Sequence, residues 1–174
     1  MRNTLSSSTA PKLTPAVIGA ILTALDDEYH AEAVYAATLD KFGADTRPFC
    51  NIINAERRHQ AALVKLMDKY QIDVPANAYL TGDKPFDAIP DSLKEACDIG
   101  VAAEIENARL YDEDLLPTVA GYPDITAVFQ ALSGASTNNH LPAFQRCAER
   151  GGQGGGHGKH HGQRRAGTTQ NEGN

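Results

Sequence analysis

Apolar positions recur along this chain at the 3.6-residue period of helices, and almost nowhere with the alternation of strands. The first periodic stretch runs from about Thr14 to Phe42, with Thr14 placed to cap it, Pro15 at the first helical position and Gly43 to close it. The second runs from Asp45 or Thr46 to Tyr70, with Pro48 in its first turn. Residues 72–89 hold two prolines and a glycine and show no helical period. A third stretch starts near Asp91 and ends by Pro117; a fourth follows Gly121-Tyr122-Pro123 and reaches about Arg150. Short links join the first to the second and the third to the fourth, which makes antiparallel hairpins, and 72–89 is long enough to carry the chain between them. The pattern predicts an all-α fold, an antiparallel four-helix bundle of two helical hairpins joined by one long crossover.

The seams of these helices turn polar at mid-height. The first reads Ile21, Leu25, Glu28, Glu32, Tyr35, Leu39, Phe42, and the second Phe49, Ile52, Glu56, His59, Leu63, Leu66, Tyr70. The third reads Ile99, Ala103, Glu106, Leu110, and the fourth puts Thr137, His140, Phe144 and Cys147 on one face. Burying carboxylates in such seams costs several kcal/mol each unless they are paired or bind metal. Glu56 and His59 are three apart, so both side chains point the same way and can grip one ion together. Counted from the two turns, Glu28 and His59 are level, whereas Glu106 and His140 are out of level by about 9 Å. Glu28, Glu56, His59, Glu106 and His140 are therefore the candidate metal ligands. Glu32, one turn from Glu28, is expected to support a ligand or pair with Arg58, and could itself substitute as a ligand. Tyr35 and Tyr111 can bond ligand carboxylates, although a satisfied core tyrosine is the commoner role.

Composition narrows the rest. The chain has 174 residues, 41% apolar, with a net charge of -6, enough for one domain with a core and unsuited to nucleic acid. No apolar run is long enough to span a membrane. Nine of the fifteen glycines follow position 150, in a segment of net charge +2, which leaves residues 1–150 at -8. Residues 151–174, a Gly/His-rich tail, and 1–12 are expected to be disordered, with the domain at 13–150. His157, His160 and His161 in the tail could capture metal loosely. Cys50, Cys97 and Cys147 have neither disulfide-framework nor zinc-finger spacing and are expected to pack as small apolar residues in a reducing compartment. With no apolar run near Met1 to serve as a secretory signal, a cytoplasmic protein is expected.

Glu28 with Tyr35, AERRH at 55–59, IEN at 105–107, GYPDITAVF at 121–129 and NNHLPAF at 138–144 carry a resemblance across about 14–150. The sequence resembles the ferritin-like superfamily and its rubrerythrin-type di-iron bundles, and most closely the ferritin-like family known as domain of unknown function 2202. The resemblance implies a di-metal site on Glu28, Glu56, His59, Glu106 and His140, with Fe at two per chain, or Mn or Zn. It implies Fe(II) oxidation or peroxide reduction, with O2 or peroxide as the small-molecule substrate. No rubredoxin-like four-cysteine domain follows the bundle, so electrons would come from a separate donor or from Fe(II) itself. A homodimer is a further expectation, as in related bundles. Two departures stand out. In the wider superfamily the fourth helix carries a carboxylate three before the histidine, where this chain has Thr137, and Pro142 should kink that helix beside His140. The departures keep two other readings open: a non-catalytic module holding one metal, and a metal-free bundle whose buried acids pair with Arg58 and Arg109.

Overall fold

A computed structural model describes residues 12–152. Among them every regular element is helical: α1 (Pro15–Phe42), α2 (Phe49–Tyr70), the single turn α3 (Ala78–Thr81), α4 (Leu93–Arg109), α5 (Leu116–Val119), α6 (Pro123–Ala135) and α7 (Leu141–Glu149). Two π-helical turns, Leu110–Leu115 and Ser136–His140, splice α4 to α5 and α6 to α7. No described helix is long and apolar enough to cross a membrane.

The helix signals act as read, with local shifts. Thr14 Oγ1 accepts from the Val17 amide, and Gly43, at φ 109°, closes α1. Pro48 lies just before α2 and not in its first turn. Ser92 caps α4. The third rod does not stop at Pro117: the π turn precedes it and α5 continues to Val119. Each π turn stands directly before a Leu-Pro pair. Proline lacks the N–H of a regular turn and crowds the carbonyl four residues back. The wider turn accommodates this, with the Leu116 and Leu141 amides reaching five residues back to Tyr111 and Ser136. Beside Pro142, where the sequence predicts a kink, the structure has the π turn Ser136–His140 just before it.

α1 packs along α2, and α4 along α7. The core forms two apolar clusters. One gathers Ile21, Leu25, Leu63, Met67, Tyr111, Leu115 and Phe129. The other gathers Tyr35, Phe49, Ile52, Cys97, Phe144 and Cys147. α4 and α7 approach closely because Gly100 leaves room for the Phe144 ring; a Cβ there would lie 2.6 Å from it. They are also joined by a Cys97–Cys147 disulfide, which corrects the expectation that these cysteines only pack as small apolar residues. Disulfides persist in oxidising surroundings, so this pair does not fit the reducing compartment that the cysteine spacing suggested. Cys50 is free and half-buried.

The crossover lies on α1. Lys41 Nζ donates to Ile89 O at 3.0 Å and Asp91 at 2.8 Å, Tyr79 and Lys84 both reach Asp26, and Tyr29 donates to Pro75 O. At the other end, Gly151 and Gly152 cap α7, and Gly152 is buried against the start of α4, where a Cβ would meet the Lys94 nitrogen at 2.6 Å. The expected disorder of 1–12 and 151–174 otherwise lies almost wholly outside the described residues, as do His157, His160 and His161.

Candidate metal centre

Between the two apolar clusters sits a polar layer. Each long helical rod contributes to both clusters and, midway, to this layer: Glu28 from α1, Glu56 and His59 from α2, Glu104 from α4, His140 from the second π turn. Glu28, Glu56, Glu104 and His140 are each at most 4% exposed.

The contacts form a chain with Glu56 at its middle. His59 Nδ1 is 2.9 Å from Glu56 Oε2 and 3.2 Å from Glu28 Oε2. On the other side, His140 Nδ1 is 3.3 Å from Glu56 Oε1 and 3.5 Å from Glu104 Oε1, yet no hydrogen bond forms and this buried nitrogen is left without a partner. The two imidazoles stack at 5.6 Å. Ligand atoms of Glu56, His59 and His140 all lie within 4.8 Å of one another. Tyr35 donates to Glu104 at 3.1 Å and Tyr111 reaches Glu28 at 3.5 Å, so both tyrosines do hold carboxylates of the layer. Burial raises both hydroxyls well above their usual pKa, which keeps them donors.

Four expected placements are corrected. Glu106 is not in the layer: it is exposed and pairs with Arg109 at 3.0 Å. Glu104 takes the inward position, because the buried face of α4 runs through Ala96, Cys97, Gly100 and Glu104 and leaves Ile99 and Ile105 outside. Thr137 is exposed, since the π turn adds a residue and brings Ser136 inward instead. Glu32 bonds Arg57 at 2.7 Å and Gln60 at 2.9 Å, not Arg58. Arg58 is exposed, and Arg109 binds Glu106 and Glu113 at the surface, so neither partners the buried acids. Among the described residues, Glu28, Glu56 and Glu104 make no ion pair with Lys or Arg; only imidazoles face them as cations.

That arrangement shifts protons. Burial pushes Glu56 up to about 8, helped by the Glu28 charge and opposed by His59. Burial works against a charged His59, but its bonds to Glu28 and Glu56 prevail and lift it to about 10. Both groups hold protons more tightly folded than unfolded, where values near 4.5 and 6.5 apply. Their contribution is fully present below about pH 4.5 and is lost as pH rises through 8 and then 10. The metal-free protein should accordingly melt at a lower temperature at pH 9 than at pH 6, by at least ~1 kcal/mol of stability, given that one pKa unit is worth about 1.4 kcal/mol. A melting curve unchanged or raised at pH 9 would contradict this proton count.

The class these features define is an all-helical protein with a buried Glu/His layer. The family model described as "Uncharacterized protein domain (DUF2202)" matches residues 18–157, and the chain belongs to that family. No curated protein and no solved structure matches it.

Proposed function

We propose that the protein is a ferritin-like metal protein that holds two first-row divalent ions, Fe or Mn, in this layer and reacts with O2 or peroxide. The observation that carries the reading is three buried carboxylates faced by two imidazoles and no Lys or Arg among the described residues. Buried acids without cationic partners are costly, and a divalent ion is the compensation such a donor set fits. The buried, unpartnered His140 Nδ1 is a further donor atom that such an ion would engage. Three carboxylates and two imidazoles are hard to borderline donors, suited to Fe and Mn, with Zn as a redox-silent competitor.

The order of the clusters along the chain supports the ferritin-like arrangement. α1 runs from the Ile21 cluster to the Phe49 cluster, α2 and the α4–α5 rod run back, and the α6–α7 rod returns. That is two hairpins joined by one crossover. Glu28 and His59 would hold one ion, Glu104 and His140 the other, and Glu56, with one oxygen toward each histidine, would serve both. Iron held by these residues would supply the electrons for O2 or peroxide reduction, with a separate donor or fresh Fe(II) restoring the site. Tyr35 and Tyr111 fix the orientation of Glu104 and Glu28, and Ser136 stands where a fourth carboxylate is absent. A second reading, one ion on Glu56, His59 and His140 without turnover, is favoured by the tight convergence of those three alone.

Exchanging the two acids of α4 tests the proposal. Glu104→Ala should lose about one of two bound ions and the O2-consuming activity, while Glu106→Ala should keep both. Equal metal content in the two variants would exclude Glu104 as a ligand.

A further inference from the structure

α1 and α4 meet at few points, and between them a cavity of about 220 Å³ opens toward the crossover at Asp87–Pro90. Its walls are mainly apolar, built by Val34, Phe49, Ile89, Ala96 and Ala103. Exposed residues Asp87, Ile99 and Ala103 line its mouth, and Glu28, Glu56 and Glu104 line its deep end. A dry cavity of about 150 Å³ holds benzene, so this one has room for an aromatic ring with a short chain.

The polar groups on its wall select the head group. Five carboxylates line the cavity and no Lys or Arg does. If metal engages Glu28, Glu56 and Glu104, the inner wall still offers Asp27 and Asn107. Asn107 Nδ2 donates to Asp27 Oδ2, which fixes the amide so that its Oδ1 faces away as an acceptor; that oxygen is buried with no partner. Leaving a buried acceptor unpaired carries a desolvation cost, which a donor head group would recover. An ammonium has three donors, no acceptor and the complementary charge. A carboxylate or phosphate would meet mainly acceptors and negative charge.

We infer that this cavity binds a small primary amine, its apolar body between α1 and α4 and its ammonium group on Asp27 and Asn107. The binding of such an amine does not rest on the function proposed above.

Three probes with the same ring and two-carbon chain make the test: 2-phenylethylamine, 2-phenylethanol and phenylacetate, titrated calorimetrically into the full metal-free chain. The amine should bind at least about tenfold tighter than the alcohol, a difference of about 1.4 kcal/mol, and phenylacetate not measurably. Asp27→Asn should erase the advantage of the amine while retaining the alcohol. Ala103→Phe, a change at the exposed mouth, should block both, with folding of each variant checked by its melting curve. Phenylacetate binding as well as the amine, no binding of the amine, or amine binding unaffected by Ala103→Phe would each overturn the inference. A chain that takes up the amine but no metal would leave the cavity standing and remove the metal centre; two ions without amine binding would do the reverse.

Discussion

Glu56→Gln is expected to empty both metal positions, taking the chain from about two bound ions to none. Glu56 is the one acid whose two oxygens face different histidines, Oε2 toward His59 and Oε1 toward His140. Glutamine keeps the volume and one acceptor, so the layer stays filled while the shared charge is gone. The same variant has a second signature. In the metal-free wild type at pH 9, Glu56 is above its raised value of about 8 and carries a buried negative charge. Neutral glutamine avoids that cost, so metal-free Glu56→Gln should melt above metal-free wild type at pH 9. Elemental analysis and melting curves read the two effects separately. A variant that keeps both ions, or that is destabilised at every pH, would contradict the central place given to Glu56.

Opening the Cys97–Cys147 bridge is expected to be the largest purely structural loss. The two cysteines are 50 residues apart in sequence. A loop of that length corresponds to about 4 kcal/mol in the chain-entropy account, and for a chain of this size to a melting temperature lower by roughly 10 °C. Both cysteines are buried, at 0% and 2% exposure, so mild reductant should act slowly on the folded protein. The bridge also holds α4 to α7, which carries Phe144 against Gly100 and keeps Glu104 and His140 opposite one another. Cys97→Ala with Cys147→Ala should therefore weaken metal binding as well as lower the melting temperature. An unchanged melting temperature in the double variant would mean that the bridge adds nothing to the fold.

The readability of these features in the linear sequence follows their physics. α1 is legible to the residue and α2 nearly so, because large apolar side chains mark their seams and Thr14, Pro15 and Gly43 mark the ends of α1. Glu28, Glu56 and His59 interrupt those seams, and the structure buries them or nearly so. α4 misleads because its buried face is made of small residues, Ala96, Cys97 and Gly100, which fit under Phe144. Ile99, its large residue in the predicted seam, is about half exposed and draws that seam, with Glu106, onto the outer face. The misfit in level between Glu106 and His140 is the available signal: Glu104 lies two residues nearer the start of α4 and reduces it. The π turns are hidden in a different way. One extra residue per turn rotates everything beyond it, exchanging Thr137 for Ser136, and only Leu116-Pro117 and Leu141-Pro142 hint at where this happens. The disulfide depends on two helices meeting in space, which no spacing of 50 residues can reveal.

The most direct measurement is the metal content of the chain after anaerobic Fe(II) loading and removal of loose ions. His157, His160 and His161 should first be replaced by alanine, so that the tail contributes nothing. About two irons per chain are expected, retained at pH 8 and released as the pH falls and His59 and Glu56 regain protons. One iron per chain would favour the single-ion reading on Glu56, His59 and His140. No retained iron, manganese or zinc would contradict the account, leaving a helical protein whose buried acids are balanced by protons alone.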